Sequence, residues 1–270
     1  MNIRELRSKP HISVSSVNAY LECGLQYKFK RIDRIPIESV SDNLVYGSVI
    51  HKCLADFNQE KMTGNKLALE DIQAIFEKYR REDALDNKFI SYSKGKDYDT
   101  LRIDGKNLLE AFYTELPQEG FTILSIEEPF EFYIDGIDVP MIGVMDLVEE
   151  DSESGSVIIT EYKTASKAYS IDQIDKLFQL TVYHMAAKKN GFGDREIALK
   201  VDALIKTKKP RFESVYTYRT DAHERRAAKR ILEAWSGIQK NVFIPNDSSW
   251  LCNGVCFQRQ KLKCLHLFQH

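Results

Sequence analysis

Five polar residues, which lie in three successive segments of the chain, have the types and the spacing of a catalytic site. Glu161 and Lys163 close the segment SVIITEYK, and both point to one face because strand side chains alternate. Gln179 and Tyr183 lie four residues apart in a helical segment, so they also share a face. Asp146 is predicted to end the preceding strand, and a short polar turn makes the two strands neighbours. The pattern predicts that these polar side chains converge.

The carboxylates of Asp146 and Glu161 predict a metal site between the two strands. Two adjacent carboxylates repel each other unless a positive charge lies between them, and oxygen ligands suit Mg²⁺ or Mn²⁺. Lys163 is placed to neutralise an anionic transition state or to position a water molecule. His51, in the helical segment GSVIHKCL, is a further candidate ligand as a neutral imidazole. The alternatives are a structural ion pair at a solvated strand end and a histidine of the core or surface.

The segments that must position these residues predict a mixed α/β fold. A capped helix begins at Ser13 or Ser15 and runs to residue 32, and a second helix covers about 44–60. A charged helical insertion over 61–120 is interpreted as a cover or gate for the site. The remaining segments are predicted to be strands 121–134, 139–150 and 156–163, a helix 170–191, strands 197–207 and 214–220, and a helix 221–241. This order predicts a mixed central sheet with helices on its faces.

The bulk composition restricts the class of protein and its partners. The 270 residues are 43% hydrophobic and carry a formal net charge of −2, which argues against a generally basic surface for nucleic acid. No apolar run of about 18 residues occurs, so we expect a cytoplasmic protein that makes no use of a membrane. A local basic patch remains available for phosphate contact. Its candidate residues, in the segment KTKKPRF, are Lys206, Lys208, Lys209 and Arg211.

Four short motifs together resemble a known enzyme family. GSVIH, GVMDL, EYK and QLTVY occur in the order and approximate spacing of RecB-like nucleases in the PD-(D/E)XK superfamily, such as AddB and the nucleases of CRISPR adaptation. Each motif alone is weak, but four in order form a specific signal. The resemblance covers about residues 13–205. It implies a restriction-endonuclease-like core, a mixed central sheet flanked by helices.

The resemblance also implies an activity, a divalent-metal-dependent DNA nuclease acting as an exonuclease. Lys163 would orient the attacking water, and Gln179 and Tyr183 would position the substrate phosphate or Lys163. DNA recombination, repair or phage- and CRISPR-related processing are the implied settings, with a helicase or recombination partner on another chain. A catalytically silent DNA-binding or metal-binding scaffold of the same fold is the alternative. The implied metal ligands are His51, Asp146, Glu161 and the backbone carbonyl of Tyr162.

The cysteines are distributed unevenly, with Cys23 near the start and three others within the last twenty residues. Clustered cysteines in a reducing compartment more often bind metal than form disulfides. The resemblance implies a [4Fe–4S] cluster on Cys23, Cys252, Cys256 and Cys264. A Zn²⁺ ion on the same four thiolates, or no metal there, remains open. We therefore predict one nuclease domain over 1–270, with the cysteine-rich segment 245–270 packed back on the N-terminal helix.

Overall fold

The fold is built on a mixed β-sheet, seen in a computed structural model that describes residues 2–36, 39–86, 89–116 and 120–249. Five strands form this sheet in the order β3-β4-β5-β6-β7, and β1 pairs with β2 separately. In chain order the strands are β1 (Val40–Ser41), β2 (Ile90–Ser91), β3 (Phe121–Phe132), β4 (Met141–Asp151), β5 (Val157–Ala165), β6 (Ile197–Ile205) and β7 (Arg211–Thr217).

The register of the sheet decides which side chains share a face. β5 runs antiparallel to β4 and parallel to β6, and β7 returns antiparallel to β6. Glu161 is paired with Val201, whereas Tyr162 is paired with Asp202 on the opposite face. The sheet is therefore mixed, and the predicted fold class is confirmed.

Helices cover both faces of the sheet. The helix α8 contacts β5 and β6 on the face of Glu161. On the other face, apolar residues of α4, α5 and α6 pack in one core with Tyr162 and Leu204. The helices are α1 (Ile3–Ser8), α2 (Val14–Glu22), α3 (Gly24–Tyr27), α4 (Asp42–Met62), α5 (Leu69–Asp86), α6 (Tyr98–Glu115), α7 (Ile171–Asp175), α8 (Phe178–Ala187) and α9 (Asp221–Gln239). None of the described helices combines the length and apolar character needed to cross a membrane.

Aromatic side chains hold α4 and α6 against the sheet. The ring centroid of Phe112 lies 5.4 Å from that of Phe57 and 5.3 Å from that of Phe212, and both pairs meet edge to face. Burying a side chain of this size stabilises the fold by about 1.5–3 kcal/mol. The Asn58 amide donates a hydrogen bond to the buried Tyr162 hydroxyl at 3.0 Å, which satisfies that polar group. The helix α4 is thus fixed beside the strand that carries Glu161.

The strand β6 is buried along its whole length, although it contains two charged residues. The Lys200 ammonium lies 3.1 Å from Glu149 Oε2 and 3.3 Å from Asp202 Oδ2. Ser214 donates a further hydrogen bond to Asp202 at 2.6 Å. Burying a charge is costly unless it is paired, and this network provides the pairing. It lies on the face opposite Glu161, so we interpret it as structural.

Two helices that the sequence predicts as continuous are broken in the structure. The first begins at Ser13 with a capping box but ends at Glu22, because Cys23 adopts an extended conformation. A side chain at Gly24 would clash with the backbone at Ile244, at 2.9 Å from its amide nitrogen, so the break accommodates a docked segment. The predicted helix 170–191 is also interrupted before α8, because Leu177 adopts an extended conformation.

The described residues divide into two compact units. The first comprises the described parts of 1–38, 131–143 and 221–270, and the second comprises those of 39–130 and 144–220. In the first unit, the Asn246 amide donates to the Glu22 carbonyl at 2.9 Å at the end of α2. Cys252, Cys256 and Cys264 lie outside the described residues, and the predicted domain limits stay a prediction.

Candidate active site

The two predicted carboxylates lie on adjacent strands of the second unit. The Tyr162 backbone N–H donates a hydrogen bond to Asp146 Oδ2 at 2.9 Å, which ties β4 to β5 beside Glu161. Asp146 lies within β4 rather than at its end, because the strand continues to Asp151. Burial and the charge of Glu161 raise the pKa of Asp146 well above its ordinary range. The pair therefore carries negative charge that the protein compensates only partly.

Lys163 lies next to these carboxylates and is held by two acceptors. Its ammonium lies 2.5 Å from Glu161 Oε1 and 3.0 Å from Gln179 Oε1. Burial lowers the pKa of Lys163, but the charge and the hydrogen bond of Glu161 together with the charge of Asp146 outweigh that effect, so the net pKa is raised. Lys163 therefore stays protonated near neutral pH, which suits a hydrogen-bond donor and excludes a role as a general base.

Gln179 and Tyr183 extend this network along α8. The Gln179 amide donates to the Tyr183 hydroxyl at 2.8 Å. That hydroxyl lies 2.7 Å from Glu161 Oε2 and 2.7 Å from the Val144 carbonyl oxygen, so its one hydrogen has two acceptors. Burial and the charge of Glu161 raise the pKa of Tyr183 well above its ordinary value. The tyrosine is thus a neutral donor that orients Glu161.

His51 reaches the same carboxylates from α4. Its Nδ1 lies 3.5 Å from Asp146 Oδ2, and its side chain is 31% exposed. Burial lowers the pKa of His51, although Glu161 and a hydrogen bond with the Tyr162 backbone oppose that shift. The neutral imidazole is the form that binds divalent metals. The structure brings His51, Asp146 and the Tyr162 backbone together, and their role as metal ligands stays a prediction.

Glu127 is a candidate metal ligand that the sequence analysis missed. One ligand atom each from His51, Glu127 and Asp146 lie within 4.8 Å of one another. Glu127 lies in β3 with φ of 49°, a left-handed conformation that is uncommon for a residue with a side chain. The sequence signal was the pair of adjacent acidic residues, Glu127 and Glu128, before a proline within a strand. The oxygens of Glu161, by contrast, are engaged by Lys163 and Tyr183.

These donors fit a hard divalent cation. One imidazole nitrogen and several carboxylate oxygens match the ligand preferences of Mg²⁺ and Mn²⁺. The raised pKa of Asp146 supports the same assignment, because a cation beside it would relieve the repulsion from Glu161. The cleft at this point has a volume of about 490 Å³. Its lining residues are Ser48, His51, Lys52, Ala55, Asp56, Tyr79, Glu127 and Asp146.

The predicted basic patch is only partly near the site. Lys206 lines a groove of about 560 Å³ together with Thr164 and Ala165, which directly follow Lys163. Its ammonium donates to Asn43 Oδ1 at 2.9 Å, and Asn43 lines the same groove. Lys208 and Lys209 are exposed in the turn between β6 and β7, and neither lines this groove. Arg211 is exposed at the start of β7 and forms an ion pair with Glu213 at 2.7 Å.

The family relationship is settled by a match over most of the chain. The family model of the PD-(D/E)XK nuclease superfamily matches residues 11–259. The chain belongs to the PD-(D/E)XK nuclease superfamily. The match supports a nuclease, a hydrolase of phosphodiester bonds. The RecB-like subtype stays a prediction.

One solved structure supports the same fold. A protein from Eubacterium rectale, described as a "Putative exonuclease", matches with a TM-score of 0.58 and 10% identity, over 93% of this chain and 91% of the other. A second structure, that of SSO0001, has 14% identity over 86% of this chain and 88% of the other. Its TM-score is 0.28, so it carries no argument. No curated protein matches the sequence.

Proposed function

We propose that the protein is a divalent-metal-dependent DNA nuclease. The observation that carries this proposal is the proximity of Asp146, Glu161 and Lys163 to one another and to His51 and Glu127. Carboxylates and an imidazole can hold a divalent cation for phosphodiester hydrolysis, and a lysine ammonium can stabilise negative charge on the phosphate. Membership of the nuclease superfamily supports the same reaction.

Each side chain has a defined part in this reaction. Asp146, His51, Glu127 and the Tyr162 carbonyl would hold the metal, with Glu161 beside them. When bound, a divalent cation lowers the pKa of a water molecule and neutralises charge on the phosphate. Lys163 donates a hydrogen bond to the water or to the phosphate oxygen, since its ammonium is held beside the carboxylates by Glu161 and Gln179.

The finer parts of the proposal concern the substrate and the setting. We place DNA as the substrate and an exonuclease as the mode of action, which agrees with the exonuclease activity ascribed to the Eubacterium rectale protein. The groove lined by Lys206 and Asn43 supports the path of a phosphate backbone next to the site. Recombination, repair or phage- and CRISPR-related processing, with a helicase or recombination partner on another chain, completes the proposal.

The experiment that tests this function is digestion of end-labelled DNA with Mg²⁺ and with Mn²⁺. We expect the wild-type protein to cleave and Lys163→Ala to be inactive. Lys176→Ala is the matched control, because the Lys176 side chain is 74% exposed and its ion-pair partner among the described residues is the exposed Asp172 of its own segment. Stepwise shortening from an end would identify an exonuclease. No cleavage by the wild type with either metal would favour the silent scaffold.

We also propose a structural [4Fe–4S] cluster on Cys23 and the three C-terminal cysteines. The Cys23 side chain is buried where α2 ends, and the segment 244–249 contacts that end of the helix. Anaerobically purified protein should then be brown, and Cys23→Ala should lose the colour and melt at a lower temperature. Colourless protein with one Zn²⁺ per chain would support the Cys₄ zinc site instead. Colourless protein without metal would contradict both.

A further inference from the structure

The cleft that holds the candidate metal ligands has a second wall, formed by the insertion. Tyr79 on α5 and Lys52 on α4 line the same cleft as His51, Glu127 and Asp146. Lys52 follows His51 directly, so its side chain leaves α4 about 100° further round the helix. Lys52 is not among the motif residues assigned to the metal site or to the positioning of Lys163.

Lys52 is fixed in place by a partner on α5. Its ammonium lies 2.6 Å from Asp83 Oδ1, and the Asp83 side chain is only 11% exposed. The same ammonium lies 5.5 Å from the centre of the Tyr79 ring. An ammonium has three N–H donors, and among the described residues Asp83 is the one hydrogen-bond acceptor of Lys52. Two donors therefore remain for a ligand in the cleft.

The other charged residues that line the cleft indicate a role for the Lys52 ammonium. The acidic lining residues are Asp56, Glu127 and Asp146, and Lys52 is the basic one in the described lining. The Tyr79 hydroxyl donates to Asp56 Oδ2 at 2.8 Å, and that bond raises the pKa of Tyr79 to about 12. Asp56 thus already accepts a hydrogen bond from Tyr79 on the wall of the cleft. A polyanion entering a cleft with three carboxylates needs a fixed positive charge besides the metal.

We propose that Lys52 is a second phosphate subsite, which binds the phosphate of the nucleotide next to the one that is hydrolysed. Asp83 and Tyr79 are its positioning residues. This inference rests on the proposed nuclease function and adds to it a substrate contact outside the metal site. It also gives the insertion a specific task, because α5 supplies both positioning residues.

The test is DNA binding in the Lys163→Ala background with Mg²⁺, measured by fluorescence anisotropy over a series of salt concentrations. We compare Lys52→Met with Lys78→Met, because Lys78 lies 5.2 Å from the centre of the same Tyr79 ring but does not line the cleft. We expect Lys52→Met to weaken binding about tenfold and to reduce the salt slope by about 0.7 for single strands or about 0.9 for duplex. Lys78→Met should leave both quantities unchanged.

Two further measurements separate the alternatives. Melting temperatures show whether Lys52→Met still folds once Asp83 has lost this ion pair, and Lys52→Arg, which keeps the charge, should restore the affinity. Equal affinity and salt slope for Lys52→Met and Lys78→Met would overturn the subsite even if the wild type cleaves DNA. Conversely, a wild type that binds DNA through Lys52 but does not cleave would overturn the nuclease function and leave the subsite standing.

Discussion

The Tyr183 hydroxyl lies 2.7 Å from Glu161 Oε2, and this contact joins α8 to β5 at the candidate active site. Glu161 holds Lys163 through its other oxygen, at 2.5 Å. One carboxylate thus couples the helix to the lysine. The position of Lys163 therefore depends directly on Glu161, and through Glu161 on Tyr183. The contribution of each residue can be tested separately.

The first prediction concerns the two carboxylates themselves. We expect Asp146→Ala and Glu161→Ala to lower metal-dependent cleavage by more than about 100-fold, since changing an outer partner of a metal site alone costs about 10–100-fold. Both variants should remain folded by circular dichroism. A variant that cleaves at the wild-type rate with Mg²⁺ would remove that residue from the site.

The second prediction is that Asp146 makes the stability of the metal-free protein depend on pH. Burial and the charge of Glu161 raise the pKa of Asp146 well above its ordinary value of 3.8. A carboxyl group whose pKa is higher in the folded than in the unfolded state stabilises the fold only while it keeps its proton. In EDTA, the melting temperature of the wild type should therefore fall relative to that of Asp146→Asn as pH rises above about 4.

Adding Mn²⁺ at neutral pH completes that measurement. A cation bound to the folded state raises its stability by mass action, so the wild type should regain melting temperature while Asp146→Asn gains much less. If the difference between the two proteins is the same from about pH 4 to pH 8, Asp146 does not titrate as its burial requires.

The third prediction separates positioning from metal binding. Gln179→Ala and Tyr183→Phe should reduce cleavage by about 10–100-fold, because each removes a hydrogen bond that orients Lys163 or Glu161. Metal affinity, measured by calorimetric titration, should stay near that of the wild type. Loss of metal binding in either variant would mean that α8 shapes the metal site itself.

The fourth prediction uses the unusual backbone of Glu127. Its φ of 49° costs about 1–3 kcal/mol for a residue with a side chain, and glycine avoids that cost. Glu127→Gly should therefore raise the free energy of unfolding in EDTA by about 1 kcal/mol while it lowers cleavage. Glu128→Gly is the control, since glycine in an ordinary strand position should destabilise by about 0.5–1 kcal/mol. Equal effects of the two changes would argue against stored strain at Glu127.

Most of the sheet could be predicted from the sequence because its strands are apolar segments bounded by polar turns. The motifs on β4, β5 and α8 indicated Asp146, Glu161 and Lys163 with their partners, since period-two and period-four spacing fix a face without knowledge of the whole fold. The helix breaks at Cys23 and Leu177 were missed because tertiary contacts decide them, as the docked backbone at Ile244 shows.

Glu127 and Lys52 show where sequence reasoning ends. The left-handed conformation of Glu127 is a property of the folded strand, and no periodic pattern reveals it. Nothing in the sequence distinguishes Lys52 from the other lysines of the chain. Its proposed role depends on Asp83 and Tyr79, which belong to another helix. Identifying residues whose roles depend on partners distant in the sequence requires the three-dimensional structure.

The separation of His51, Glu127 and Asp146 along the chain has a consequence for cooperativity. A cation held by all three residues would cross-link α4, β3 and β4. The cross-link would close long loops of the chain, and the entropic cost of closing a loop grows only slowly with its length. Opening of α4 away from the sheet would then require release of the cation. Amide hydrogen exchange in α4 should slow as the cation concentration rises, so that the helix and the sheet unfold as one cooperative unit.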